Sequence, residues 1–177
     1  MKSNQKLSVQ KYFKTRVKEL PLHECFINKQ YKESGLAQIL ISRKQASGKY
    51  VYVVFLLDVF CLGLKNVMFN FNFSKIEYEE MKHQLFQSEP FIPFDIVDAH
   101  NLIFGIIDIA KNIGFNPHKD FAITEYILDT DLINDGIDEI EIGKNGKPLF
   151  ISGPHDNVKR IIAILDSTVG KGEYTTM

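Results

Sequence analysis

Five polar residues in this sequence have the types and the spacing that nucleophilic chemistry needs. Asp58, Cys61 and Lys65 fall within one short stretch, and His118 and Asp120 lie two positions apart further along the chain. A thiolate near a lysine and a histidine has a lowered pKa and can attack a carbonyl carbon or a phosphorus atom. The pattern therefore suggests a hydrolase or transferase in which Cys61 is the nucleophile, His118 is the base and Asp120 orients the imidazole.

The same residues also have a purely structural interpretation. Cys61 stands between Phe60 and Leu62, and a cysteine in such surroundings usually behaves as a small buried hydrophobic side chain. His118 can pair with Asp120 or with carbonyls at a helix end without taking part in a reaction. The two interpretations differ in whether the thiol and the imidazole meet within hydrogen-bond distance in an open cleft.

Two Pro-His turns suggest a second kind of site. His118 with Asp120 and His155 with Asp156 could together hold a transition metal, provided that the two loops meet. The alternative, which we favour, is that Asp156 caps a helix and that both histidines lie exposed beside helix starts. The sequence contains no CxxC, HExxH, GxSxG or GxGxxG motif. We therefore predict neither a bound metal nor a cofactor.

Charge is unevenly distributed along the chain. Lys11, Lys14, Arg16 and Lys18 lie near the N-terminus, whereas the stretch 125–141 is acidic. A local basic face can contact nucleic acid phosphates or an acidic protein partner, although an ordinary solvated helix face has the same pattern. The formal net charge of −1 argues against binding to nucleic acid or membrane through overall charge.

Composition indicates one folded domain. The chain has 177 residues, of which 45% are hydrophobic and 24% are charged, so residues 1–177 can form a single core. No run approaches the roughly 20 apolar residues of a membrane span, and no secretory signal opens the sequence. Cys25 and Cys61 are the only cysteines, which fits a reducing compartment. We expect a cytoplasmic protein that does not bind membranes.

Hydrophobic periodicity predicts the elements of the first half. A basic amphipathic helix occupies residues 1–20 and ends before Pro21, because proline cannot continue a helix. The segment Leu62–Phe73 alternates clearly, which predicts a strand with Val67, Phe69, Phe71 and Phe73 on one face. The strands predicted before it are Glu24–Asn28, Leu36–Lys44 and Tyr50–Asp58, the last two forming a hairpin.

Capping signals predict the helices that follow. Ser74 and Glu77 form a capping box that opens a helix running to about Gln87. The wide apolar stripe over 95–113, ended by Gly114, predicts a central helix lying on the sheet.

Turn residues predict the elements near the C-terminus. Asn116-Pro117 predicts a short helix reaching about Leu128, with His118 at its N-terminus. Asn145-Gly146 is typical of a type I′ turn and predicts a hairpin between 139–142 and 148–151. A last helix should follow Asp156. The predicted class is therefore α+β, a single domain with a mostly antiparallel sheet packed against the helix at about 95–113 and with peripheral helices.

Four segments resemble a group of small bacterial proteins for which no activity is established. The likeness covers the chain from about Glu24 onwards and includes the patterns DxxCLGxK and PHxDF. It implies no catalytic residue, but its motifs coincide with the polar residues discussed above. The segments are 33–37, 58–66, 114–121 and 146–154.

The incomplete catalytic signatures favour a non-enzymatic binding or interaction module. We expect its partner to be another protein, or nucleic acid, contacted through the basic first helix or through the acidic loop 129–139. The alternative function is the cysteine-dependent hydrolase or transferase, with Asp58 and Lys65 beside the nucleophile Cys61.

Overall fold

The computed structural model describes residues 8–128 and 142–177, and its centre is a five-stranded antiparallel sheet. The strand order is β4-β3-β2-β1-β5, and the two strands near the C-terminus form a separate parallel pair. The strands are β1 Leu22–Asn28, β2 Leu36–Lys44, β3 Tyr50–Asp58, β4 Gly63–Phe73, β5 Phe91–Pro93, β6 Leu149–Phe150 and β7 Thr175–Thr176. The helices are α1 Val9–Arg16, α2 Tyr31–Ser34, α3 Lys75–Ser88, α4 Ile96–Asn112, α5 Phe121–Thr124 and α6 Val158–Thr168.

This architecture confirms the predicted α+β class. The bounds of β2 and β3 are those predicted, and the capping box between Ser74 and Glu77 opens α3. The predicted central helix is α4, and Asp95 caps its first turn by accepting a hydrogen bond from the Val97 amide. Among the described helices, none combines the length and apolarity required to cross a membrane.

One face of the sheet packs against α1 and α4. Ala99, Ile103 and Ile106 of α4 are fully buried in this first core, and Phe13 of α1 meets Phe69 of β4 edge to face. Burying an isoleucine or phenylalanine side chain contributes roughly 1.5–3 kcal/mol to the free energy of unfolding. The core therefore fixes α4 over the sheet and leaves the strand ends at the rim.

The opposite face packs against α3. The ring of Tyr78 is stacked on that of Tyr50, with the centroids 4.7 Å apart. Phe73 belongs to this second core, so the prediction that it shares a face with Phe69 and Phe71 is wrong. A bulge lies between the pairs Tyr50–Phe73 and Tyr52–Asn70. Its extra residue reverses the alternation of side chains near the end of β4.

Two predictions about helix starts are also wrong. The helix expected from Asn116-Pro117 begins only at Phe121, because the backbone N–H of His118 donates to the carbonyl of Leu64 and holds the loop against β4. His118 therefore lies in a loop. Asn157, and not Asp156, caps α6. The carboxylate of Asp156 instead binds the ammonium of Lys65 and the Gly153 amide.

The segment before α6 is only partly as predicted. Asn145 and Gly146 both have positive φ, as a type I′ turn requires, and Lys144 bridges to Lys147. Beyond this turn, however, Leu149–Phe150 pairs in parallel with Thr175–Thr176. Residues 139–141 of the predicted hairpin lie outside the described residues, and so does most of the acidic stretch.

Candidate functional site

A cleft of about 180 Å³ lies at the rim of the sheet where β2 begins and β3 ends. Three segments that are distant in sequence form its walls, and they belong to three of the four segments on which the resemblance rests. The fourth is tied to β4 close by, through the hydrogen bond from His118 to Leu64. The lining residues are Ser34, Gly35, Leu36, Asp58, Phe60, Lys65, Leu149, Ile151, Ser152 and Gly153.

Asp58 organises the turn that forms one wall of the cleft. It is the last residue of β3, and its Oδ1 accepts hydrogen bonds from the amides of Phe60 at 3.0 Å and Cys61 at 2.9 Å. An aspartate that accepts from amides two or three residues ahead stabilises a tight turn. The backbone amide of Leu62 also donates to the Asp58 carboxylate.

Burial raises the pKa of the Asp58 carboxyl, which is only 5% exposed. The amides of Cys61, Phe60 and Leu62 and the charge of Lys65 act in the opposite direction without cancelling this effect. A carboxyl with a raised pKa in a cleft is more typical of a functional group than of a purely structural one.

Lys65 reaches the cleft because β4 bulges at this residue. Leu57 of β3 pairs with Leu64 and Leu56 pairs with Asn66, so Lys65 is an extra residue on β4. A bulge of this kind redirects the side chain that it contains. The ammonium of Lys65 contacts Asp156 Oδ2 at 3.0 Å, and the two side chains are 24% and 12% exposed.

Asp156 connects this bulge to the C-terminal part of the chain. Its Oδ2 also accepts a hydrogen bond from the Gly153 amide at 2.8 Å. Burial alone would raise the pKa of Asp156, but this hydrogen bond and the ion pair with Lys65 outweigh burial and lower the pKa. The ionised carboxylate therefore holds the segment before α6 against β4.

Gly35 allows the aromatic wall of the cleft to approach the backbone. It has a φ of 77°, and a Cβ at this position would overlap the ring of Phe60. The carbonyl of Gly35 accepts a hydrogen bond from the Val59 amide, which fixes β2 to the turn after Asp58. Any larger residue here would collide with the Phe60 ring and would be strained at this positive φ.

The mouth of the cleft is apolar and open. Leu36 and Ile151 are each 42% exposed, although both are large hydrophobic side chains. They lie on segments from opposite halves of the chain and line the same opening. Such exposed apolar side chains beside polar groups are typical of a ligand site.

Cys61 does not face this cleft. Its side chain is fully buried in a third core with Leu62, Phe150 and Leu165. Burial, aided by the charge of Asp58, raises the pKa of the thiol to about 12. A neutral, enclosed thiol is a poor nucleophile, so these surroundings oppose the catalytic role that the sequence suggested for Cys61.

His118 and Asp120 do lie together, as the sequence suggested. His118 Nδ1 is 3.9 Å from Asp120 Oδ2, and both side chains are partly exposed. Among the hydrogen bonds of the described residues, none joins His118 to Cys61. Within residues 8–128 and 142–177, no group of three or more histidine, cysteine or acidic side chains could hold a metal ion. The alternative of a metal site using His118 and His155 therefore has no support there.

The sequence alone identifies Asp58 and Lys65, which line the cleft, but it does not reveal that Asp156 binds Lys65. Asp156 was interpreted as a helix cap, and Gly35 and Ile151 were not considered as site residues. The available signal was the resemblance, because the segments that carry it contain all of these positions except Asp156, which lies two residues beyond the last one.

Fold and cleft together define a small α+β protein with a mainly apolar cleft, lined also by Asp58 and Lys65, at one end of its sheet. Comparisons of the chain with protein-family models, with curated proteins and with solved structures found no match. The function is therefore inferred from the geometry of the cleft.

Proposed function

We propose that this chain is a non-enzymatic binding module and that the cleft between β2, β4 and the 149–153 segment is its recognition site. The observation that carries the proposal is the position of Asp58, a nearly buried carboxylate that lines an open cleft. Burying a charged group costs free energy unless it is fully paired. A ligand that pairs with Asp58 recovers part of this free-energy cost, so the carboxylate favours binding.

The opening supports the same function. Leu36 and Ile151 offer apolar contact at the mouth, while Asp58 and Lys65 offer charge further inside. This combination of apolar walls and a few polar groups is usual for small-ligand sites. The rival function, a hydrolase or transferase with Cys61 as nucleophile, receives no support from the raised pKa and the burial of the thiol. Catalysis by Cys61 is therefore the weaker proposal.

The test is to locate where small molecules bind. Spectra that correlate amide protons with nitrogen, recorded with a set of cationic, anionic and neutral fragments, should show shifts grouped on Gly35, Phe60, Lys65 and Gly153. Because the cleft is preformed, binding should not require refolding. Shifts that avoid these amides with every fragment would refute the proposal.

A matched pair of variants gives the control. Leu36 and Leu22 have the same exposure, 42%, but only Leu36 lines the cleft. Leu36→Ser should weaken fragment binding, because it removes apolar contact at the mouth, whereas Leu22→Ser should leave binding unchanged. Equal effects of the two substitutions would mean that fragments bind to exposed leucines in general.

A second contact surface is proposed on α1 and on the 3-10 turn Val17–Glu19 that follows it. Lys11, Lys14, Arg16 and Lys18 are exposed, and within the described part of the chain none of them forms an ion pair. Phe13 anchors the helix, so these cations have a fixed support. They suit an acidic protein surface or nucleic acid phosphates.

Charge reversal of this face tests the second surface. With the four cations changed to glutamate, binding to a polyglutamate probe and to duplex DNA should be lost, while fragment binding at the cleft continues. Unchanged binding of both anionic probes would eliminate this surface.

We also propose a cytoplasmic location, since the free cysteines Cys25 and Cys61 suit a reducing compartment.

A further inference from the structure

We infer that the cleft recognises a short alkyl chain that ends in a cation, an alkylammonium or alkylguanidinium group, with the cation at Asp58 and the alkyl part between Leu36 and Ile151. This inference rests on the proposed function and specifies its ligand. It follows from the pairing of charges, from the chemistry of the walls and from the size of the cleft.

The pairing of charges leaves one carboxylate over. Lys65 forms its ion pair with Asp156 at 3.0 Å, and its charge also acts on Asp58 without forming an ion pair with it. Among the residues that the structure describes, no cation forms an ion pair with Asp58, whose Oδ1 is occupied by backbone amides. An entering cation would therefore add an ion pair to Asp58. An anion would compete with Asp156 for Lys65 and would meet the negative charge of Asp58.

The walls suit a chain and not a compact ion. Leu36 and Ile151 border the opening, and Phe60 and Leu149 form buried wall surface behind them. A hydrated inorganic cation gains nothing from apolar walls, whereas methylene groups gain about 0.8 kcal/mol each when they are buried. The cleft thus favours a ligand that is apolar along its length and charged at one end.

The volume limits the length of the ligand. The cleft has a volume of about 180 Å³. Pockets for larger organic ligands usually begin near about 300 Å³. A four-carbon chain with a terminal ammonium group fits this space, and a nucleotide does not. The same chemistry is found in a free aliphatic amine and in the lysine side chain of a partner protein.

The experiment uses three isosteric probes on the intact chain. Butylammonium, butyrate and butanol have similar size and differ in charge. Amide shifts of Phe60 and Cys61 should saturate with butylammonium and change little with the other two probes. If butyrate binds the cleft more tightly than butylammonium does, the inference is wrong although the proposed function stands. If no probe or fragment shifts the amides of the cleft, both are wrong.

Two variants test the assigned contacts. Asp58→Asn should weaken butylammonium binding at least about tenfold, because a hydrogen bond to a charged group is lost. Ile151→Lys places a competing ammonium group at the mouth and should weaken binding similarly, and it remains informative if Asp58→Asn disturbs the turn. Leu22→Lys, at a leucine of equal exposure, is the control. Undiminished binding in either cleft variant would overturn the inference.

The source of the cation is distinguished by a blocked lysine. Nα-acetyl-lysine methylamide carries the ammonium chain on a peptide backbone, as a partner protein would. Binding of this compound as tight as that of butylammonium points to a lysine side chain. Much weaker binding points to a free amine, because the backbone then clashes with the mouth of the cleft.

Discussion

Replacing Lys65 and Asp156 singly and together should reveal a coupling of about 1.5 kcal/mol in the free energy of unfolding. Their ammonium and carboxylate groups are 3.0 Å apart and mostly enclosed, with exposures of 24% and 12%. Fully exposed pairs are worth about 0–1 kcal/mol, and hydrogen bonds to charged groups about 1.5–3 kcal/mol. The observed enclosure places this pair near the lower end of the second range.

The suitable variants are Lys65→Met and Asp156→Asn. Methionine retains most of the length of the lysine chain, and asparagine retains an oxygen that can accept from the Gly153 amide. Urea unfolding measures the four stabilities without the screening that a guanidinium salt would add. Coupling is the difference between the double variant and the sum of the singles. A coupling below about 0.3–0.5 kcal/mol, the usual error of additivity, would refute the assignment of this ion pair as the link between β4 and the C-terminal segment.

The coupling should also depend on pH. Because the pKa of Asp156 is lowered in the folded state, its contribution to stability is fully present above 3.8, the ordinary pKa of an aspartate, and is lost as pH falls through the folded pKa. The stability difference between the wild type and Asp156→Asn should therefore be constant near neutral pH and should vanish in strong acid. A difference that persists below the folded pKa would mean that the charge of Asp156 is irrelevant.

Three further outcomes are expected. Burial raises the pKa of Asp58, so Asp58→Asn should increase the free energy of unfolding at neutral pH. This gain should disappear on acidification below 3.8, the ordinary pKa of an aspartate, where the wild-type carboxyl is protonated. Urea unfolding at several pH values tests this, and a loss of stability at every pH contradicts it. A thiol reagent should label Cys61 only as fast as the fold opens, because the thiol is buried and has a pKa of about 12, and immediate labelling would contradict the packing. Tyr78→Phe should lower the free energy of unfolding by about 1–3 kcal/mol, because the Tyr78 hydroxyl forms hydrogen bonds of 2.8 Å with both Ser42 and Glu24. An unchanged unfolding midpoint in urea would refute these hydrogen bonds.

Local patterns predicted the strands well, because the strand signal is local. Apolar and β-branched residues fill Leu36–Lys44 and Tyr50–Asp58, and the Ser47-Gly48 turn limits both strands. Side chains that alternate along a strand reveal their faces only while the pairing stays regular. The extra residues in β4 interrupt that regularity, and nothing in the residue types at Lys65 or Phe73 marks the change.

The candidate site was predictable only in part, because its assembly is a tertiary event. Asp58 and Lys65 were recognisable as polar residues around one turn. Asp156 follows a proline-containing turn and precedes a helix, which is also the pattern of an N-cap. The pattern therefore predicts that this carboxylate accepts from the first turn of α6, whereas it binds the ammonium of Lys65 and the Gly153 amide. The same limit applies to His118, whose amide is bound by β4 and not by the first turn of a helix.

The bulge at Lys65 also determines how the length of this chain can vary. Removing one residue from a regular part of β4 would turn every later side chain to the other side of the sheet, so that asparagines would replace the partly buried Phe69 and Phe71 at the first core. Removing Lys65 would only restore uninterrupted pairing with β3. Related chains could therefore lose this one position and keep the same sheet, and they would lose the partner of Asp156. Deletion of a single codon could therefore remove the ion pair at the cleft while the sheet stays unchanged.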